Sequence, residues 1–200
     1  VDRFQAAFAT FVGAKAALAR CNAMCGLAEA VSISGAKAGN EIICDPVVHF
    51  GGLASLYWHC IPRFADIDPH SYCMDPASLR ANITPNTKAN MPVHLTGRVC
   101  AMDAILALAD KHGLAVIEDA AQAMGASNKG RKAGSIGNVG CFSAHPLKIF
   151  NSCGDGGLAT TNDDKIAERI RHLRNHGLID RDTVVEFGYV SRMDVLQAEI

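Results

Sequence analysis

Short apolar runs alternate along the chain with longer stretches patterned for helix, and turn-forming residues separate them. The runs Glu41–Cys44, Pro62–Ile67, Ala89–Leu95, Ala115–Asp119, Val139–Ser143 and Gly157–Thr160 predict strands, the last two a hairpin-like pair around the loop 145–156. Residues 3–20, rich in alanine and phenylalanine, predict one long helix. Asn22–Ser32 predicts a second, with Asn22 as its N-cap. Further helices are predicted around Gly51–His59, over Asp75–Asn82 where Asp75 precedes Pro76, over Ala101–His112 closed by Gly113, and over Asp163–His176 closed by Gly177.

Strands alternating with helices imply an α/β architecture, a largely parallel sheet buried between helices. No repeat or low-complexity linker interrupts the pattern, so residues 1–200 read as one domain. In such sheets ligands gather beyond the carboxyl ends of the strands. That singles out the acids closing Ala115–Asp119.

Composition narrows the reading without redirecting it. Of 200 residues, 49% are hydrophobic and 20% charged, enough for one substantial core, and the net charge is −1. Nothing in that balance suggests a nucleic-acid or membrane-surface partner. The longest apolar stretches fall well short of a membrane span, and no signal-peptide pattern opens the chain. Eight cysteines occur without a Cys-x-x-Cys pair, which fits reduced thiols in a cytoplasm better than a disulfide scaffold or a zinc knuckle. The chain starts at Val1 and stops at Ile200 inside a helical pattern, so it reads as a fragment.

Three segments carry the chemistry. Val116-Ile-Glu-Asp-Ala-Ala-Gln-Ala123 ends a strand on Asp119. Cys141-Phe-Ser-Ala-His-Pro-Leu-Lys148 ends another on Ser143 and turns through a proline to Lys148. Gly154-Asp-Gly-Gly157 is a turn that lets backbone approach closely. Together with Gly39–Ile43, Phe64–Asp68, Pro92–Gly97, Arg174–Gly177 and Gly188–Met193, in that order, they resemble the DegT/DnrJ/EryC1/StrS aminotransferases, the sugar-aminotransferase group of pyridoxal-phosphate (PLP) fold type I.

The resemblance implies a seven-stranded mixed sheet, mostly parallel, forming the PLP-binding large domain, with the C-terminal small domain lying outside this chain. It implies pyridoxal 5'-phosphate as cofactor and Lys148 as the residue that carries it covalently and later moves the substrate proton. Asp119 would pair with the pyridine nitrogen, Glu118 being on the opposite face of the strand. Gln122 would reach the same ring from the same helical turn, and Ser143 would donate to the phosphate. Asn22, Ala23 and Met24 would offer the phosphate a helix N-terminus, and Phe50 would cover the ring face.

Partners implied are a nucleotide-linked keto sugar, an amino-acid donor such as glutamate, and a second copy of the chain sharing the site. Three positions depart from the family pattern: Met24 and Val190 replace groups that hydrogen-bond the phosphate, and His49 stands where threonine is common. These departures leave a noncatalytic, ligand-binding or dimerising relative as the alternative. His94 would end a strand and line the site, and His145 reads first as a turn determinant before Pro146. The run Gly134-x-x-Gly137-x-x-Gly140 precedes a strand rather than a helix, so it does not read as a nicotinamide site.

Overall fold

The computed structural model describes residues 1–200. Its strands are Ala16–Arg20 (β1), Glu41–Cys44 (β2), Ile61–Phe64 (β3), Thr87–Met91 (β4), Ala115–Asp119 (β5), a small hairpin of Ser127–Asn128 (β6) and Arg131–Lys132 (β7), Val139–Ser143 (β8) and Gly157–Thr161 (β9). Seven of them form one sheet in the order β1-β9-β8-β5-β4-β2-β3. The pairs β8–β5, β5–β4, β4–β2 and β2–β3 are parallel, whereas β9 runs antiparallel to both β8 and β1. The sheet is therefore mixed and mostly parallel, as expected.

Helices Asp2–Val12 (α1), Ala23–Ile33 (α2), Phe50–Leu56 (α3), Pro76–Asn82 (α4), Met102–His112 (α5), Asp164–Leu173 (α6) and Val195–Glu199 (α7) complete the chain. None is long and apolar enough to cross a membrane. Successive strand residues point to opposite faces, and the core divides accordingly. Ile42 and Ile117 pack with Leu27 and Val31 of α2 and Ile170 of α6. Their neighbours Ile43 and Val116 pack on the other side with Leu79 of α4 and Ile105 of α5. A third cluster under α1 joins Phe8 and Val12 to Phe142 and Leu158, with Phe8 edge-on to Phe142 at 5.1 Å.

The long helix expected over residues 3–20 is two elements. α1 stops at Val12 because Gly13 takes a left-handed conformation (φ 78°) and returns its N–H to Ala9. Ala16–Arg20 then pairs antiparallel with β9, from Ala16 opposite Thr161 to Arg20 opposite Gly157. Alanine, leucine and arginine favour helix locally, but the open edge of β9 supplies hydrogen bonds that a helix here would leave unmade.

Other limits shift for similar reasons. The helix expected over Gly51–His59 is α3, starting at Phe50 and ending at Leu56. β3 ends at Phe64 and β4 runs from Thr87 to Met91, because Ile67 and Val93 make only isolated bridges to Met74 and Asp119. α6 ends at Leu173 rather than His176. A strap, residues 188–191, folds back onto its last turn: Tyr189 N–H donates to Leu173 (2.7 Å) and His176 N–H to Tyr189 (2.8 Å).

The glycines at 134, 137 and 140 serve packing. A Cβ on Gly140 would overlap the carbonyl and Cα of Gly134, and one on Gly137 would sit 2.8 Å from the Val116 carbonyl oxygen.

At the end of β1, Arg20 forms an ion pair with Glu29 of α2, with side chains 0% and 2% exposed. Burial pushes the Glu29 carboxyl up to about 7, and the neighbouring Arg20 charge only partly offsets it. Removing one charge strands the other in the core. Glu29→Leu alone should lower unfolding free energy by about 3–5 kcal/mol, whereas Arg20→Met with Glu29→Leu should recover most of it. Urea-denaturation midpoints of the two variants check this.

Candidate functional site

The parallel strands direct their carboxyl ends toward one edge of the sheet, facing the N-terminus of α2. There a cavity of about 400 Å³ opens, and Asn22, Ala23, Met24, Phe50, Asp119, Gln122, Ser143 and Lys148 all line it. All eight residues singled out from the sequence thus converge on one space. Val48, Val93, His145, Leu147 and Asp155 add to its walls.

Asp119 closes β5 and is 2% exposed. Its carboxylate accepts one hydrogen bond, from Ala121 N–H at 3.0 Å. Burial pushes this carboxyl up from its ordinary value. The Ala121 N–H, His94 and the Lys148 charge pull it back, and Asp45 adds to the rise. No lysine, arginine or histidine nitrogen comes within 4.0 Å of it, so the carboxylate faces the cavity without a close cationic partner.

Behind the strand, Glu118 points the other way. It accepts from His94 Nε2 (2.8 Å) and from the backbone N–H groups of Gly134 (2.9 Å), Ile136 (2.7 Å) and Gly137 (2.6 Å). His94 therefore does not line the cavity as expected. It is 0% exposed, turned inward by its bonds to Glu118 and to Cys100, whose thiol lies 3.3 Å away and whose backbone N–H donates to Nδ1 at 3.2 Å.

Gln122 reaches the cavity from a turn, not from the helix expected after Asp119. Its Oε1 accepts from Thr96 N–H at 3.0 Å, which leaves its amide N–H groups for the cavity. Ser143 ends β8; its hydroxyl accepts from His145 N–H (3.2 Å), so its own proton is free to donate.

Lys148 is presented by a stapled loop. Ser152 donates through both backbone and hydroxyl to the Ala144 carbonyl, each at 2.9 Å. His145 makes the inner turn: Nδ1 accepts from Leu147 N–H (3.2 Å) and its carbonyl from Lys148 N–H (2.8 Å). The turn role expected of His145 holds, and the residue also borders the cavity.

Across the cavity, Asn22 caps α2 by accepting Cys25 N–H at 2.9 Å. The N–H groups of Ala23 and Met24 sit at the helix start, where no preceding turn can accept them. Gly157 makes the approach possible: a Cβ there would lie 2.5 Å from the Asn22 carbonyl carbon and 2.6 Å from Ala23 N. Phe50, at the start of α3, exposes 43% of its surface and forms part of the wall. Of the departures noted above, Met24 sits on this wall, whereas Val190 lies in the strap, bridged to Asn175.

Asp45 was missed in the sequence. It follows β2, is 1% exposed, accepts from Val47 (3.0 Å) and Val48 (3.1 Å), and bears electrostatically on Asp119. The rule that singled out Asp119, an acid at a strand's carboxyl end, would have found it.

The sequence model of the DegT/DnrJ/EryC1/StrS aminotransferase family matches residues 1–200. GDP-perosamine synthase of Caulobacter vibrioides is 42% identical over 205 aligned residues, covering 100% of this chain and 54% of that protein. The UDP-N-acetyl-3-dehydro-alpha-D-glucosamine 3-aminotransferase of Acidithiobacillus ferrooxidans is 46% identical over 164 residues, covering 81% of this chain and 44% of that protein. The crystal structure of NtdA from Bacillus subtilis with bound cofactor PMP superposes with a TM-score of 0.91 at 29% identity, covering 98% of this chain and 45% of that one. The chain spans about half the length of the curated relatives it matches.

The back of β5 depends on Glu118 as an acceptor for four donors. Glu118→Gln turns one acceptor into a donor facing backbone N–H groups. A stability loss of about 1–3 kcal/mol is expected, read as a lower denaturation midpoint.

Proposed function

The chain belongs to the DegT/DnrJ/EryC1/StrS aminotransferase family, and from that premise we propose that its cavity binds pyridoxal 5'-phosphate and transfers amino groups with Lys148 at the reacting centre. The observation that carries this reading is the meeting of an amine, a buried carboxylate and a helix N-terminus in one cavity of about 400 Å³.

The donor set fits the cofactor. A buried acid without a close cation suits a protonated ring nitrogen, since a positive partner offsets the desolvation that pushes Asp119 up. The open N–H groups of Ala23 and Met24, with the free Ser143 proton, suit a phosphate dianion. Bound there, the cofactor supplies an electrophilic carbon and an electron-withdrawing ring.

The chain's own residues do the rest. The Lys148 amine would hold the cofactor and, when free, would accept and return the substrate proton. Asp119 would keep a proton on the ring nitrogen. Gln122, anchored on Thr96 N–H, has amide donors left that would serve the ring. Phe50 would shield one face. Met24 contributes backbone only, so the phosphate grip here rests on main-chain donors and Ser143.

The acceptor in this reading is a nucleotide-linked keto sugar, in amino-sugar or polysaccharide synthesis, with glutamate as donor. Its support is the sugar-nucleotide chemistry in the names of the two curated relatives. Residues 1–200 act as the cofactor-binding large domain of a cytoplasmic homodimer whose sites are shared between subunits.

Mixing the purified protein with pyridoxal 5'-phosphate should produce a visible absorption band that borohydride abolishes, leaving the label on Lys148. Lys148→Ala should lose the band and the label. Asp119→Asn should keep the band and lower transamination by about 10²–10³-fold. A wild-type protein without the band would make this chain a noncatalytic relative.

A further inference from the structure

Two thiols bracket the loop assigned to the phosphate. Cys21 ends the turn out of β1, and Cys25 lies in the first turn of α2, with only Asn22, Ala23 and Met24 between them. Their sulfurs are 3.3 Å apart, and Cys21 Sγ also touches the Ser191 hydroxyl of the strap at 3.8 Å.

Both are half-buried rather than sealed. Cys25 faces a second cavity of about 350 Å³, shared with Glu29, Tyr57, Trp58, Tyr189 and Ser191, while Cys21, outside that cavity, keeps a partial exposure of its own through which a small disulfide can reach it. The contrast with the other cysteines is sharp: Cys44, Cys60, Cys73, Cys100 and Cys141 are buried, and Cys153 is exposed with no thiol beside it.

We propose that Cys21 and Cys25 form a dithiol that low-molecular-weight disulfides oxidise to an intrachain disulfide, and that closing it loosens the phosphate end of the neighbouring cavity. Cys21 sulfur attacks one sulfur of oxidised glutathione and releases one glutathione thiol. Cys25 sulfur then attacks Cys21 in the mixed disulfide and releases the second. The protein loses two protons and one electron pair, and these leave as the two glutathione thiols. Burial and the adjoining Cys21 thiol hold the Cys25 thiol up at about 11, so it is the poorer first nucleophile, and the second step relies on the 3.3 Å approach of the two sulfurs.

The mechanical consequence follows from length. A disulfide spans about 2.05 Å, so closure draws the two sulfurs together by more than an ångström from 3.3 Å. The Asn22 cap on Cys25 N–H and the open N–H groups of Ala23 and Met24 lie within that short loop. Gly157 packs directly against its backbone, so the loop has no room to shift inward. The second half of the proposal rests on the cofactor reading above; the thiol chemistry does not.

Trypsin releases a peptide, residues 21–37, that contains these two cysteines and no other. The purified protein is treated with oxidised glutathione, denatured, alkylated and digested. The peptide should come out two hydrogens lighter and without alkyl groups. Cys21→Ser and Cys25→Ser should each prevent closure and leave one reactive thiol. A wild-type peptide carrying two alkyl groups, while Cys153 in the same sample carries glutathione, overturns the pair.

Affinity for pyridoxal 5'-phosphate should fall about tenfold in the oxidised protein, the loss of roughly one charge-assisted hydrogen bond. Dithiothreitol should restore it, and Cys21→Ser should be indifferent to oxidant. An oxidised peptide with unchanged affinity overturns the coupling. A disulfide that forms in a protein taking up no cofactor in either state sinks the cofactor reading and the coupling with it, while the thiol pair stands.

Discussion

The structure turns on two adjacent acids that a strand sends in opposite directions. β5 lies in the middle of the sheet, parallel to both neighbours, so its side chains are buried on both faces. Glu118 points back into a knot of four donors, and Asp119 points forward into the cavity. The first is fully satisfied and rigid. The second takes a single protein hydrogen bond and is left to meet whatever the cavity holds. A site needs an anchored scaffold and an unspent group, and one peptide unit separates the two here.

Close backbone approaches hold the surroundings in register. Gly140 lies against Gly134, whose N–H feeds Glu118, and Gly137 lies against Val116 of β5 itself. Gly157 lets β9 press against the start of α2. The glycine string from Gly134 to Gly140 is thus a packing seam around the Glu118 knot. The seam and the helix start bring amine, acid and N–H donors together from segments far apart in the chain.

The strap, residues 188–191, ties the far side of the cavity to its surroundings. It caps α6 through Tyr189 and brings Ser191 to Cys21, so the helix end, the ion pair of Arg20 with Glu29 and the two thiols form one contiguous region beside residues 22–24. A chemical change at the thiols is transmitted by covalent geometry over three residues, with no need for a long pathway.

Much of the site was legible in the residues themselves. Strand ends on Asp119 and Ser143, the Asn22 cap, and helix stops at Gly113 are local features, dictated by side-chain hydrogen bonding and by glycine's access to positive φ. What the linear order could not contain is set by contacts between distant segments. Ala16–Arg20 reads as helix and becomes a strand because β9 offers it an edge. Gln122 approaches from a turn because Thr96 holds its amide. His94 turns inward because Glu118 waits behind it. Local chemistry determined which groups this protein carries and where its elements begin. Only the tertiary structure decided which of those groups share a cavity and which are buried in mutual bonds, because that choice depends on burial and pairing, properties no residue possesses alone.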